Sequence, residues 1–203
     1  MSRKIFYSLL AILMITATIL SACGPAKGEE TKFSVGIVLP TKDEPRWLQD
    51  EARFKDALTK AGYDVEILFS QGSSATEKTN VESLISKGAK VIIITPQDAT
   101  AAAAAAEEAR QAGAKIISYD RLIRDTEAVD YYVTFDSIAV GAQQAQYLVD
   151  HATDKGHPLY LYAGAATDSN ASLFFRGRPG SVPRAHWLFT LDGKEQCCQD
   201  KFL

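Results

Sequence analysis

The run Val91-Ile92-Ile93-Ile94-Thr95 is β-branched throughout and has no face that prefers water. A strand of this kind has to be covered on both sides, as the central strand of a parallel sheet between helices is. Its surroundings fit. Short apolar runs at 33–39, 65–69, 115–119, 131–135 and 159–163 alternate with longer segments whose apolar residues recur at helical spacing. Helices are expected at 46–60, with Trp47, Phe54 and Leu58 near one face, and at 74–87, with Val81, Leu84 and Ile85 inward. Two more are expected at 99–112, where the alanine run 101–106 is strongly helix-forming, and from Ser137 to about residue 153, with Ser137 as the cap. Gly62, Gly88 and Gly113 follow the first three helices as C-terminal stops, and Pro40 and Pro96 end two of the strands. The roughly 30-residue period is that of βα units, and no solenoid is implied. The fold class is therefore α/β, a doubly wound parallel sheet.

The N-terminus carries an address. Arg3 and Lys4 precede an apolar run at 5–20 that is too short for a convincing permanent span, the layout of a secretory signal. It ends in Leu20-Ser21-Ala22-Cys23-Gly24, which resembles the bacterial lipobox, in which the cysteine sulfur accepts a diacylglyceryl group. We expect a lipoprotein signal peptide at 1–22, a lipid-anchored linker at 23–32 and an exported protein held to the membrane through Cys23. The bland alternative for Cys23 is an ordinary buried cysteine beside a signal sequence. Cys197 and Cys198 are adjacent, which rarely meets disulfide geometry, and His151, His157 and His186 lack ligand spacing, so no metal site is expected. A net charge of −3 offers no broad basic face for a phosphate backbone, which argues against nucleic acid as a partner.

Ligands of an open parallel sheet bind beyond the carboxyl ends of its strands. The loop after the first strand, Pro40-Thr41-Lys42-Asp43-Glu44-Pro45-Arg46-Trp47, has neither the Gly-x-Gly-x-x-Gly nor the Gly-Lys-Ser/Thr of phosphate cradles. Dinucleotide and nucleotide enzymes lose their main support, and no cofactor is expected. A nucleophile–base arrangement and paired carboxylates at a meaningful spacing are also lacking, so the chain reads as a binder and not an enzyme. The loops instead offer polar groups beside an aromatic ring: Arg46-Trp47, Tyr119-Asp120-Arg121, Phe135-Asp136-Ser137 and Asp168-Ser169-Asn170. Carboxylate, guanidinium and amide groups grip neighbouring hydroxyls, and an indole covers the C–H face of a pyranose, a combination suited to a neutral monosaccharide.

Four segments in order, Arg46-Trp47, Tyr119-Asp120-Arg121-Leu122-Ile123-Arg124, Tyr132-Val133-Thr134-Phe135-Asp136 and Asp168-Ser169-Asn170-Ala171, resemble the xylose-binding and multiple-sugar-binding branch of the type I periplasmic binding proteins. The resemblance runs from about residue 33 to 175. It implies two α/β lobes that close on a sugar and deliver it to an ABC transporter permease, with Arg46, Trp47, Asp120, Arg121 and Asn170 lining the cleft. Four of these have a plainer reading. Trp47 is otherwise a core anchor, Asp120 and Arg121 a surface pair, and Asn170 a helix cap. Asp136 is assigned to capping or to the hinge. The family more usually has two asparagines where this chain has Ser169-Asn170. A sugar-sensing receptor that signals to a membrane sensor is the alternative to transport.

The resemblance divides the chain into a sugar-binding lobe at 33–135, the start of a second lobe at 136–175, which is incomplete, and an atypical tail at 176–203. Family members continue well beyond this length. From Arg176 the glycine- and proline-rich text has lost the strand–helix rhythm, and Cys197-Cys198 enters a protein otherwise free of mature cysteines beyond the anchor. We expect a truncated product whose tail is read out of the ancestral frame and is loosely attached, with a genuine divergent tail as the alternative.

Overall fold

The computed structural model describes residues 34–151, 160–177, 186–191 and 194–198, all within the unit Phe33–Leu203. The expected signal peptide, Cys23 and the expected linker lie outside the described residues. The strands are β1 Ser34–Leu39, β2 Asp64–Phe69, β3 Val91–Ile94, β4 Lys115–Tyr119, β5 Tyr131–Val133, β6 Tyr160–Ala165, β7 His186–Leu191 and β8 Lys194–Cys198. The helices, in chain order, are α1 Pro45–Lys60, α2 Ser74–Ser86, α3 Ala102–Gln111, α4 Ser137–His151 and α5 Ser169–Arg176.

The first sheet has five strands in the order β2-β1-β3-β4-β5, every pair parallel. Alternation along each strand divides the core in two. Val35, Ile37, Leu39 and Ile93 point to one face, where Trp47, Phe54 and Leu58 of α1 cover them. Val38, Ile92, Ile94 and Ile116 point to the other, under Val81 and Leu84 of α2 and Ala102, Ala105, Ala106 and Ala109 of α3. The continuous apolar sequence of β3 is thus explained, since Ile92 and Ile94 are fully buried on one face while Ile93 packs on the opposite one. At Gly36 a Cβ would lie 2.7 Å from Leu84 Cδ1, so the glycine admits α2 close to the sheet.

The regular helix over the alanine run begins at Ala102, later than expected, after a turn in which the Asp98 carboxylate accepts the N–H groups of Thr100 (2.9 Å) and Ala101 (2.8 Å). β5 stops at Val133, two residues early. The Val133 carbonyl accepts from Asp120 N (2.8 Å), and the next residue leaves the ladder as Thr134 Oγ1 donates to the Asp120 carbonyl (2.8 Å). Of the two caps expected here, Asp136 takes the role and Ser137 does not: Asp136 Oδ1 accepts from Ala139 N at 2.9 Å.

Helices α4 and α5 meet almost backbone to backbone. A Cβ at Gly141 would lie 2.0 Å from the Phe174 carbonyl oxygen, and one at Gly177 would lie 1.9 Å from that of Ile138. The second sheet runs β6-β7-β8, with β7 parallel to β6 and β8 antiparallel to β7. Two of its strands fall in the tail expected to lack such rhythm. The expectation followed the glycines and prolines of 177–183, whereas the strand former is His186-Trp187-Leu188-Phe189-Thr190-Leu191 beyond them.

Candidate functional site

The sheet order places the connections of β1 and β3 on opposite faces, so the loops after β1, β3 and β4 open at the carboxyl edge where such folds bind ligands. At that edge stands Asp120, immediately after β4 and only 4% exposed. Its φ of 64° is left-handed, a conformation that aspartate tolerates but that favours glycine, and its surroundings hold it there from several sides. Its carbonyl accepts from Thr134 Oγ1 (2.8 Å), Tyr132 Oη (3.2 Å) and Asn170 Nδ2 (3.1 Å). Its carboxylate accepts from Arg46 Nη2 through one oxygen and from Asn170 Nδ2, at 2.8 Å, through the other. The five residues singled out from the sequence converge here.

Arg46 lies in the first turn of α1, which Pro45 opens. Its Nε is 3.6 Å from Asp50 Oδ2, one turn on, and its guanidinium lies 4.5 Å from the centroid of the Trp47 ring. Burial works against the charge, but the hydrogen bond to Asp120 and the attraction of Asp120 and Asp50 prevail and raise the pKa of Arg46 above its ordinary value. Arg121 donates from Nη1 to the Pro96 carbonyl (3.3 Å), pairs through Nε with Asp168 Oδ2 (3.0 Å) and approaches the same indole at 5.7 Å. Asp120 and Arg121 therefore pair with Arg46 and Asp168 instead of each other.

Trp47 is 2% exposed and packs in the α1-side core, while its Nε1–H donates to Glu44. So placed, the ring backs both guanidinium groups and anchors α1 at once. Asn170 is 3% exposed and does not cap α5. That role belongs to Asp168, whose Oδ1 accepts from Asn170 N at 2.9 Å, leaving the Asn170 side chain to bond Asp120 and to accept from Ser137 Oγ (3.1 Å). Ser169, at the position where a second asparagine is usual, accepts from Leu122 N through Oγ at 2.9 Å.

Sequence reasoning missed three supporting groups. Asp50 accepts from Tyr119 Oη (3.2 Å); burial first, and then the nearby Asp50 charge, push the Tyr119 pKa up. Ser118 Oγ donates to the Arg121 carbonyl (2.6 Å) and accepts from Ile123 N (3.0 Å), shaping the turn that carries Asp120 and Arg121. Glu77, 1% exposed in the first turn of α2, accepts from Gln97 N at 2.7 Å. Arg46 has a signal that finds Asp50, the i,i+4 spacing, but nothing local marks Glu77 as buried.

Cations and carboxylates interleave at the site, Arg46 and Arg121 against Asp50, Asp120 and Asp168, so it holds hydrogen-bonding capacity with little net charge. That arrangement suits an uncharged ligand rich in groups that both donate and accept.

Residues 35–178 match the periplasmic binding protein domain family. The multiple sugar-binding periplasmic receptor ChvE of Rhizobium radiobacter is 37% identical over 150 residues, covering 72% of this chain and 42% of that protein. The D-xylose-binding periplasmic protein of Escherichia coli is 29% identical over 82% of this chain and 49% of its own length. A crystal structure of a carbohydrate transporter solute binding protein from Chloroflexus aurantiacus, in complex with D-glucose, is 79% identical with a TM-score of 0.66, covering 70% of this chain and 42% of that one. The chain thus spans under half the length of these proteins. Matched in sequence and in backbone over the same stretch that builds the Asp120 network, this chain belongs to the periplasmic binding protein family.

Proposed function

We propose that the chain supplies one side of a monosaccharide site in an exported binding protein, with a pyranose of the gluco configuration as ligand. The carrying observation is that Arg46 and Asn170 both bond the buried Asp120 carboxylate at the carboxyl edge of the sheet, with Arg121 held beside them by Asp168. Here the protein's polar groups satisfy one another, Asn170 Nδ2 against Asp120 Oδ1 at 2.8 Å. A sugar hydroxyl, donor and acceptor at once, exchanges into such a pair without leaving either partner unsatisfied.

D-Glucose is the first choice, because a protein 79% identical over the matched stretch is in complex with it. D-Xylose presents the same ring hydroxyls without the hydroxymethyl group, which reconciles glucose with the xylose-like ligand suggested by the sequence and with the xylose-binding relative. Binding is non-covalent. Delivery to an ABC transporter permease, with the protein anchored to the membrane through acylated Cys23, completes the reading. A sensing role is the second reading, favoured by the relative that is a receptor.

Calorimetric titration with D-glucose, D-xylose, D-galactose and L-arabinose tests this, on the 203-residue chain and on a chimera continued with the remainder of the Chloroflexus aurantiacus protein. The chimera is expected to bind glucose tightest and xylose next. The 203-residue chain is expected to bind far more weakly, since enclosure by two lobes supplies much of the affinity of such proteins. No preference among the sugars would overturn the ligand assignment. The anchor has its own test: the membrane-fraction protein should exceed the polypeptide mass by its acyl groups, and Cys23→Ala should abolish the excess.

A further inference from the structure

Glu77 is a carboxylate without an evident reason to be buried. It lies on α2, on the far side of the loop after β3 from the ligand site, and is 1% exposed. Its Oε2 accepts the Gln97 N–H at 2.7 Å. The other end of that same peptide unit is the Pro96 carbonyl, which accepts from Arg121 Nη1 at 3.3 Å. One peptide plane, Pro96–Gln97, is therefore clamped between a buried carboxylate and a guanidinium of the site.

We propose that Glu77 is a positioning residue of the sugar site: its carboxylate fixes the Pro96–Gln97 peptide, whose carbonyl holds Arg121, so the grip on the ligand follows the charge of Glu77. The proposal rests on the sugar-binding reading for its consequence, but the relay itself does not. A negative charge at the N–H end of a peptide strengthens the carbonyl at the other end as an acceptor, because hydrogen bonds in a chain polarise one another. Neutralising the carboxylate weakens both links together.

The charges acting on Glu77 from its surroundings are Arg121, from the loop after β4, and Asp98, from the loop after β3. On its own helix the neighbouring Lys78 is engaged at the surface with Glu82 and Glu108. Burial outweighs the Gln97 N–H and Arg121, Asp98 adds to it, and the Glu77 carboxyl is pushed up to about 7. The relay is therefore intact above neutrality and weakened below it.

Two readouts on wild type and Glu77→Gln separate the relay from its use. The first needs no sugar: the side-chain Nε–H resonance of Arg121, assigned with Arg121→Lys, is followed by NMR from pH 5 to pH 9 in the 203-residue chain. In wild type it should titrate with a midpoint near 7, and in Glu77→Gln that transition should vanish while the protein stays folded. An Arg121 resonance that does not respond near neutrality, or that responds equally in both proteins, overturns the relay. The second readout is D-glucose affinity of the chimera at pH 8 and pH 6. Loss of the relay should weaken wild-type binding by roughly threefold to tenfold on acidification, the scale of one weakened hydrogen bond, and leave Glu77→Gln nearly flat. Titrations common to both proteins cancel in the comparison. Identical pH profiles for the two proteins would overturn the link between Glu77 and the ligand. Should no sugar bind at any pH while Arg121 still titrates through Glu77, the functional reading fails and the relay stands.

Discussion

Residues 34–133 are held together differently from residues 137–151 and 160–177. In the first stretch the interior is made of large side chains: Ile37, Leu39, Ile92, Ile94 and Ile116 are fully buried between helices on both faces of the sheet. In the second, α4 buries only Ser137, Gly141 and Ala145, while Tyr147, Leu148 and Val149 stand 63, 45 and 43% exposed. Among the described residues it is held by the close approach of α4 and α5 and the Ser137–Asn170 bond, and tied to the first stretch by Asn170 to Asp120, Ser169 to Leu122 and the Ala99 N–H to the Thr167 carbonyl. The first stretch supplies a packed platform, and the described residues of the second meet it through the polar groups of the candidate site. On the reading proposed above, in which these groups also meet the sugar, a region tied through them is suited to move when the ligand exchanges into them.

The largest effect is expected in the platform. Ile92→Ala removes a fully buried side chain between packed layers and should cost about 2–5 kcal/mol, lowering the cooperative unfolding transition of the whole domain in urea. Gly141→Ala should act locally. The added methyl would fall 2.0 Å from the Phe174 carbonyl oxygen, so α4 and α5 have to separate, at about 1–3 kcal/mol. Hydrogen exchange should then quicken in 137–151 and 169–176 and stay slow in β1 and β3. Equal loss of protection in both stretches would show that the second has no separate standing.

The platform is the part the sequence made legible. The β-branched run of β3 and the helical spacing of Trp47, Phe54 and Leu58 are direct records of burial, and the strand β4 falls on residues 115–119 as expected. The candidate site could be read as a set of positions that the fold brings near one another, but not as a geometry. Arg46 and Asp120 meet across 74 residues, and nothing local announces that Asp120 takes a left-handed turn or that Asn170 leaves the capping of α5 to Asp168. Glu77 was illegible for a related reason. A glutamate in the first turn of a helix is ordinarily a solvated group facing the helix dipole, and only the tertiary position of the Gln97 N–H makes it an interior acceptor.

Glu77→Gln should change stability in a pH-dependent way, and its sign is informative. The folded-state pKa is raised from 4.5 to about 7, so between these values the folded chain retains a proton that the unfolded chain has released. Stability from this group is present below pH 4.5 and is lost as the pH rises to 7, where the charged form must be kept buried. Glutamine never ionises. The variant should therefore melt higher than wild type at pH 8 and equal to it at pH 4. A wild-type advantage at pH 8 would mean that the charge stabilises the fold as well as positioning Arg121.

The claim that the polar ties between the two stretches are the sugar site is tested most directly at the Asn170 side chain. In the chimera, the Asn170 Nδ2–H2 resonances, assigned with Asn170→Asp, are followed by NMR as D-glucose is added. The account predicts that both resonances move in step with saturation, because the sugar exchanges into the bond between Asn170 Nδ2 and Asp120 Oδ1. Glucose binding to saturation with the Asn170 side-chain resonances unmoved would contradict it.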